Sequence, residues 1–465
     1  MQATVGHPIR SKRALMRTVL ATLAALSCGL VAGCTASASA VEPPQDQIFF
    51  PTGMGIAPDD SVLFVANANS ELQYDSGSIS VFDLSLVDKV IAAWTSAANI
   101  PDGCNQDDDF HETLVCDETQ FIRPDSGVRV GNFATDIAVQ DTGSGTFRLI
   151  VPTRGDPSIT WIDYDGTKLS CTSNQDQFGL CDDAHRLSYV HNDPNLDQIP
   201  EEPFAAFADS AGQFAMITHL TTGAVTLIDS PRGGPAEIAD VLTGFFNPDP
   251  NTGLIGSTGI AGRTPSATGD IIYVGSSSED RVQTFTVGRP LDDAPPYLLP
   301  SNWFFLDAVG AAAGGSTDTR GLAFSRDGNL LYLLNRNPAS LQLIDTSPDA
   351  TGFPNNRGIS ATSVCREAST LTVLDPGDGA ERAYITCFQD GQIWVVDSRG
   401  LATVEDVLTV GRGPFAIVSA PTRHEIYVTN FLEDTIAVID VAPNSPTRNR
   451  VVLRIGQPLD PNAVQ

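Results

Sequence analysis

The sequence predicts an all-β chain folded as a seven-bladed β-propeller of four-stranded antiparallel blades. Three observations carry this expectation. A phrase of two short apolar runs joined by a polar turn recurs seven times between residues 62 and 440. The acids, 56 against 27 basic residues, are mostly Asp, which favours turns and caps over helix interiors. The runs are apolar along nearly their whole length, as expected of strands buried on both faces. With 42% hydrophobic residues the chain has ample material for a core. Its 465 residues read as one ring rather than three domains, because propellers exceed the usual domain length.

The first element is an address. Residues 1–33 hold Arg10, Lys12, Arg13 and Arg17 and no acid, and 14–32 are apolar and small. This is the pattern of a secretory signal peptide. Val31-Ala32-Gly33-Cys34 resembles the bacterial lipoprotein box, which implies acylation of the Cys34 thiol. Thr35, where an Asp would favour inner-membrane retention, implies sorting to the outer membrane. An ordinary transmembrane anchor is the alternative. No later stretch approaches the ~18 apolar residues that span a bilayer. Residues 34–47 read as a flexible tether and 48–460 as the propeller.

The ring follows blade by blade. The paired runs are 62–67 with 78–83, 147–153 with 158–163, 214–218 with 224–229, and 271–275 with 281–286. They continue as 330–335 with 340–345, 382–387 with 392–397, and 425–430 with 435–440. Six of the seven end in Asp; the fourth ends in Thr286. These are read as the second and third strands of each blade. Upstream runs such as 321–328 and 413–418 supply inner strands. Runs such as 128–131, 407–411 and 451–456 supply outer ones. Blade 7 thus holds its own fourth strand, and 47–50 is expected to pair beside it.

Tyr427-Val428-Thr429-Asn430 resembles the signature of the YVTN-type β-propeller repeat family, which is itself similar to lactonase-like and haem-d1-type propellers. The other copies depart from the signature while keeping the strand–turn–strand frame. The motif needs no ligand to explain it: Tyr427 packs, Val428 and Thr429 suit a strand, and Asn430 suits a turn. The recurrent Asp is expected to accept turn amides.

In a propeller the starts of the inner strands and the turns between second and third strands share one face, which forms a funnel. This places Arg154, Arg336 and His219 at the rim, and Asp136, Arg263, Arg320, Arg366, Glu367 and Arg412 deeper. Guanidinium forks suit a carboxylate or phosphate. The competing expectation is that these arginines pair with Asp136, Glu367 and neighbouring acids. The six histidines show no metal-binding spacing, and neither a nucleophile elbow, a CxxCH haem motif nor a P-loop is present. Residues 105–109 and 247–251 alternate oxygen ligands as calcium would require, without the Gly and terminal Glu of an EF-hand; solvated loops are the expectation, and no metal or other cofactor.

The six cysteines beyond the lipid site fall into three close pairs, Cys104/Cys116, Cys171/Cys181 and Cys365/Cys387. An even number in an exported chain suggests disulfides, with nearest-neighbour pairing expected. A net charge of −29 disfavours nucleic acid and anionic membrane surfaces. The functional expectation is a monomeric, lipid-anchored binding or scaffold protein of the cell envelope, periplasmic or surface-exposed. Its partners would be the membrane, through the anchor, and an envelope protein or small anionic ligand. A lactonase-like hydrolase using Arg320, Glu367 and His219 is one alternative, and a haem-binding redox propeller another.

Overall fold

Six-residue apolar runs such as Val62–Asn67 and Glu425–Asn430 are buried along their entire length, because each is covered by a blade on either side. The computed structural model describes residues 41–97, 99–172, 178–188, 198–263, 270–291, 294–306 and 317–458. The signal segment, Cys34, and His7 and His191 lie outside the described residues.

Seven antiparallel sheets surround one axis. Blade 1 is built from Pro51–Ile56, Val62–Asn67, Gly77–Asp83 and Val128–Val130. Blade 2 uses Ala138–Gly143, Thr146–Thr153, Ser158–Tyr164 and the two-residue Leu169–Ser170, with Arg186–Leu187 also on the third strand. Blade 3 holds Pro203–Ala208, Phe214–His219, Val225–Asp229 and Glu237–Leu242. Blade 4 holds Ser257–Arg263, Ile271–Ser276, Arg281–Gly288 and Tyr297–Phe305. Blade 5 holds Asp318–Phe324, Leu330–Asn337, Ala339–Asp345 and Arg357–Ser363. Blade 6 holds Ala368–Leu374, Arg382–Cys387, Gln392–Asp397 and Thr403–Thr409. Blade 7 holds Pro414–Ala420, Glu425–Asn430, Thr435–Asp440 and Arg450–Ile455. The expected pairs of second and third strands recur in all seven blades.

The recurrent Asp makes local turns in four blades. Asp83, Asp345, Asp397 and Asp440 each accept the N–H two residues on, at 2.8–3.0 Å. Asp163 and Asp229 instead pair with Arg148 and Arg289. The motif Asn likewise ties the turn between strands. Asn67, Asn335 and Asn430 donate to Ser78, Ser340 and Thr435 across it.

The ring closes differently from the sequence expectation. Blade 7 does supply its own fourth strand, but residues 48–50 do not pair beside it. The Phe50 N–H instead donates to Asp434 at 2.6 Å, and the Phe49 N–H to Asn67. The neighbour of Arg450–Ile455 is Leu114–Cys116, a parallel strand from the long insertion of blade 1, followed outward by Cys104–Gln106. The Cys104–Cys116 disulfide staples this hairpin, and the Thr113 hydroxyl donates to the Val451 carbonyl at 2.6 Å. The insertion also contributes Leu84–Ala97, the one α-helix among the described residues, whose Leu84 and Val87 complete the core between blades 7 and 1. Cys171–Cys181 and Cys365–Cys387 are also bonded. Among the described residues no helix is long and apolar enough to cross a membrane.

Candidate functional site

The inner strands share an irregularity that sequence reading missed. In blades 1, 3, 4, 5, 6 and 7 the register between inner and second strand shifts near the start of the inner strand. Such a bulge re-aims side chains and frees backbone groups. The freed N–H groups are taken up by the motif Thr of the second strand. Thr218, Thr386 and Thr429 accept from Ala205, Thr370 and Ala416 at 3.1, 2.9 and 2.9 Å. The freed carbonyls are capped from the preceding blade. Thr52 donates to Ala134, Thr135 to Phe204 and Thr218 to Thr258, and the Thr258 hydroxyl donates to Thr319. Close approach is needed here: a Cβ on Gly53 would lie 2.9 Å from the Asp136 backbone.

The bulges bring their side chains to the axis. Thr52, Phe204, Arg320, Ser369, Thr370 and Phe415, with Thr135 and Asp136, line a cavity of about 100 Å³. Above it lies a vestibule of about 180 Å³, walled by Phe133, Phe388, Phe431 and Arg154. The two share Thr52, Thr135, Phe204 and Phe415, which form a waist. Phe388, Phe415 and Phe431 lie with ring centroids 6.3–6.4 Å apart. Each cavity falls below the ~300 Å³ at which pockets for whole small molecules usually begin.

Arg320 stands at the cavity floor. Its guanidinium lies 5.4 Å from the Phe204 ring centroid, and its Nε donates to Asp318 at 2.9 Å. Asp136 lines the same cavity and pairs with no arginine among the described residues. Its carboxylate accepts the N–H groups of Ile137 and Ala206, both at 2.9 Å. Burial pushes its pKa up to about 6 despite these two donors.

The other expected residues are dispersed. Arg154 pairs with Glu202, Arg336 with Glu367, Arg366 with Asp390 and Arg412 with Glu433, all on the funnel face. The pairing expectation therefore describes these four and also Arg320, which pairs with Asp318 at 2.8 Å, though not Asp136. Arg263 sits elsewhere. It ends the inner strand of blade 4, so six strand steps, roughly 20 Å, separate it from the funnel mouth. There it donates to the Gly328 carbonyl at 2.8 Å. His219 is fully buried rather than on the rim. Its Nδ1 donates to the Glu201 carbonyl, so its Nε2 accepts from Thr226 at 2.8 Å. Burial pushes its pKa down to about 4, which leaves a neutral ring filling the place that Asn holds in other blades.

The acidic insertions are also engaged. Asp107 accepts from the Asp109 and Phe110 N–H groups and pairs with Arg454. Asp249 accepts from Asn251 and Thr252. Among the described residues no group of three or more His, Cys, Asp or Glu side chains converges on a metal-sized space. A cavity of about 870 Å³ lies outside blades 2 and 3. It is lined by Asp156, Arg186, Ser188, Asp229, Glu237 and Pro295.

No protein-family model matches the chain, and no curated protein matches it. Solved structures are similar in fold. A putative 6-phosphogluconolactonase from Bacteroides fragilis is 12% identical, covers 86% of this chain and 99% of its own, and has a TM-score of 0.55. A putative 6-phosphogluconolactonase from Bacteroides uniformis is 11% identical over 90% and 99%, with a TM-score of 0.49. A Lactobacillus plantarum protein is 15% identical over 71% and 89%, with a TM-score of 0.49. At these identities the likeness shows the fold alone.

Proposed function

We propose that this chain is an exported binding module, tethered to the cell envelope through lipid on Cys34, whose axial funnel receives an anionic group of its ligand. The observation that supports this is Arg320, aimed by a backbone bulge at the floor of a narrow cavity. The hydroxyl-bearing Ser369 and Thr370 line the same space, and a phenylalanine vestibule lies above. A cavity of about 100 Å³ suits a carboxylate or phosphate at the end of a longer stem better than a whole sugar ring. A charge-assisted hydrogen bond in such a place contributes about 1.5–3 kcal/mol. Calorimetric titration with small carboxylates and phosphate esters tests this. Arg320→Met should weaken the best of them at least about tenfold. Equal affinity in the two proteins would overturn the proposal.

One observation favours a second reading, a hydrolase of lactone-like esters. Asp136, whose pKa is held near 6, lines the same cavity as a cation. It could take a proton from water near neutral pH while Arg320 holds the substrate. That reading replaces the expected Glu367 and His219, which are occupied by Arg336 and by Glu201 and Thr226. The haem reading finds no histidine ligand at the axis among the described residues.

A further inference from the structure

The described chain begins on the funnel face. The Val41 carbonyl accepts the Asp75 N–H at 2.9 Å, and Glu42 pairs with Arg129 at 3.4 Å. Asp75 lies in the turn between second and third strands of blade 1, and Arg129 in the adjoining outer strand. From there the chain runs inward to the buried Ile48, Phe49 and Phe50 at the start of the inner strand. Its entry point is therefore fixed at the funnel-side rim of blade 1.

Only residues 35–40 separate Cys34 from that point. Fully extended, the seven steps from Cys34 to Val41 span at most about 25 Å. The six-residue second strand of a blade is already roughly 20 Å long. At the opposite end of blade 1 the helix Leu84–Ala97 adds further thickness, tied by Arg423 to Asp88. A lipid on Cys34 thus cannot comfortably reach a bilayer lying against that opposite face.

Each of the two turns beside the entry point carries one exposed leucine among acids, Leu72 with Glu71 and Asp75, and Leu432 with Glu433 and Asp434. Leu72, 39% exposed, belongs to the same turn as Asp75, and Leu432, 46% exposed, tips the matching turn of blade 7. Leu72 is held at φ 54°, a left-handed conformation that costs a branched side chain roughly 1–2 kcal/mol. Asn69 organises this turn, bonding both the N–H and the carbonyl of Tyr74. Trp303 and Phe305 add an exposed aromatic pair at the funnel-side end of the outer strand of blade 4, across the ring.

We infer that the funnel face of this propeller lies against the lipid bilayer that carries its anchor. The short tether holds it there, and Leu72 and Leu432 dip into the interface. Arg320 then opens toward the membrane surface, so its ligand is met there. The inference rests on the anchoring of Cys34 proposed above.

The test uses lipidated full-length protein in vesicles of phosphatidylethanolamine and phosphatidylcholine containing an acceptor-labelled lipid. A donor dye is placed on L432C or on L401C, the latter 73% exposed on a turn at the opposite face. Energy transfer from position 432 should be at least about twice that from 401, given the roughly 20 Å of strand between the faces. Lengthening the tether with twenty Gly/Ser residues after Ala40 should bring the ratio close to one while the protein stays bound. Equal transfer with the native tether, or stronger transfer from 401, overturns the orientation. A ratio unchanged by the long tether overturns the tether's role. Cys34→Ser separates the two ideas. If that variant binds vesicles as well as the native protein, the anchoring reading fails and the orientation inferred from it falls too.

Discussion

Replacing Glu425 by Gln should stabilise this propeller, and only above acid pH. Glu425 begins the second strand of blade 7 at the seam with blade 1, and is buried. Its carboxylate accepts the Tyr427 hydroxyl at 2.5 Å. Burial, with the charges of Asp88 and Asp440 adding, pushes its pKa from 4.5 to about 7, against the pull of Tyr427 and Arg423. A raised carboxyl pKa means that the folded state holds a proton the unfolded chain has released. Stability is therefore full below pH 4.5 and falls as pH rises toward 7. At about 1.4 kcal/mol per unit, the full loss is about 3 kcal/mol. Gln has no charge to desolvate and still accepts from Tyr427. At pH 8 the variant should gain about 3 kcal/mol, a rise in Tm of about 4 °C for a ring of this size. At pH 4 the two proteins should melt together. Scanning calorimetry at both pH values is the assay. A lower Tm at pH 8, or the same shift at both values, would mean that the Glu425 carboxylate is not destabilised by its burial.

Other consequences follow from the seams and turns. Replacing Cys104 and Cys116 by Ala opens a loop with a sequence separation of 12 and should cost about 3 kcal/mol in denaturant unfolding. Because the stapled hairpin borders Arg450–Ile455, amide exchange should accelerate first along that strand. His219 should show no ring titration by NMR between pH 5 and 8, since burial holds it neutral down to about pH 4. A midpoint near 6.5 would mean the ring meets solvent. Asp397, held below the usual carboxylate range by Arg399, stabilises above its unfolded pKa, and that contribution is lost on acidification. Asp397→Asn should therefore destabilise by no more than about 1 kcal/mol at pH 7, and by progressively less as pH falls below the unfolded value of 3.8, measured by thermal melting.

The paired strands were legible because their signal is local: an apolar run, a polar turn, a second run ending in Asp. The disulfides were legible from the spacing of Cys104 with Cys116 and of Cys365 with Cys387. The hairpin 104–116 was not, because its pairing with Arg450–Ile455 joins segments more than three hundred residues apart with no local mark. Arg263 was misplaced because an inner strand carries its sequence from one face of the ring to the other. A charge at its end says nothing of the mouth. Arg320 and Asp136 were legible as funnel residues, but the rest of the axial lining was not, for a subtler reason. A bulge is a one-residue slip, and Thr52, Phe204 and Phe415 look like ordinary strand residues until the slip turns them to the axis. The recurring Thr of Thr218, Thr386 and Thr429 was the available clue, since its hydroxyl takes the N–H that a bulge releases.

The proposed binding of an anionic group and the hydrolysis of a lactone-like ester differ in turnover. The most direct test is turnover of aldonolactones by the purified protein, beside Asp136→Asn and Arg320→Met. A binding module should show no hydrolysis above the spontaneous rate in any of the three proteins. Hydrolysis by the native protein that disappears in both variants would contradict that reading.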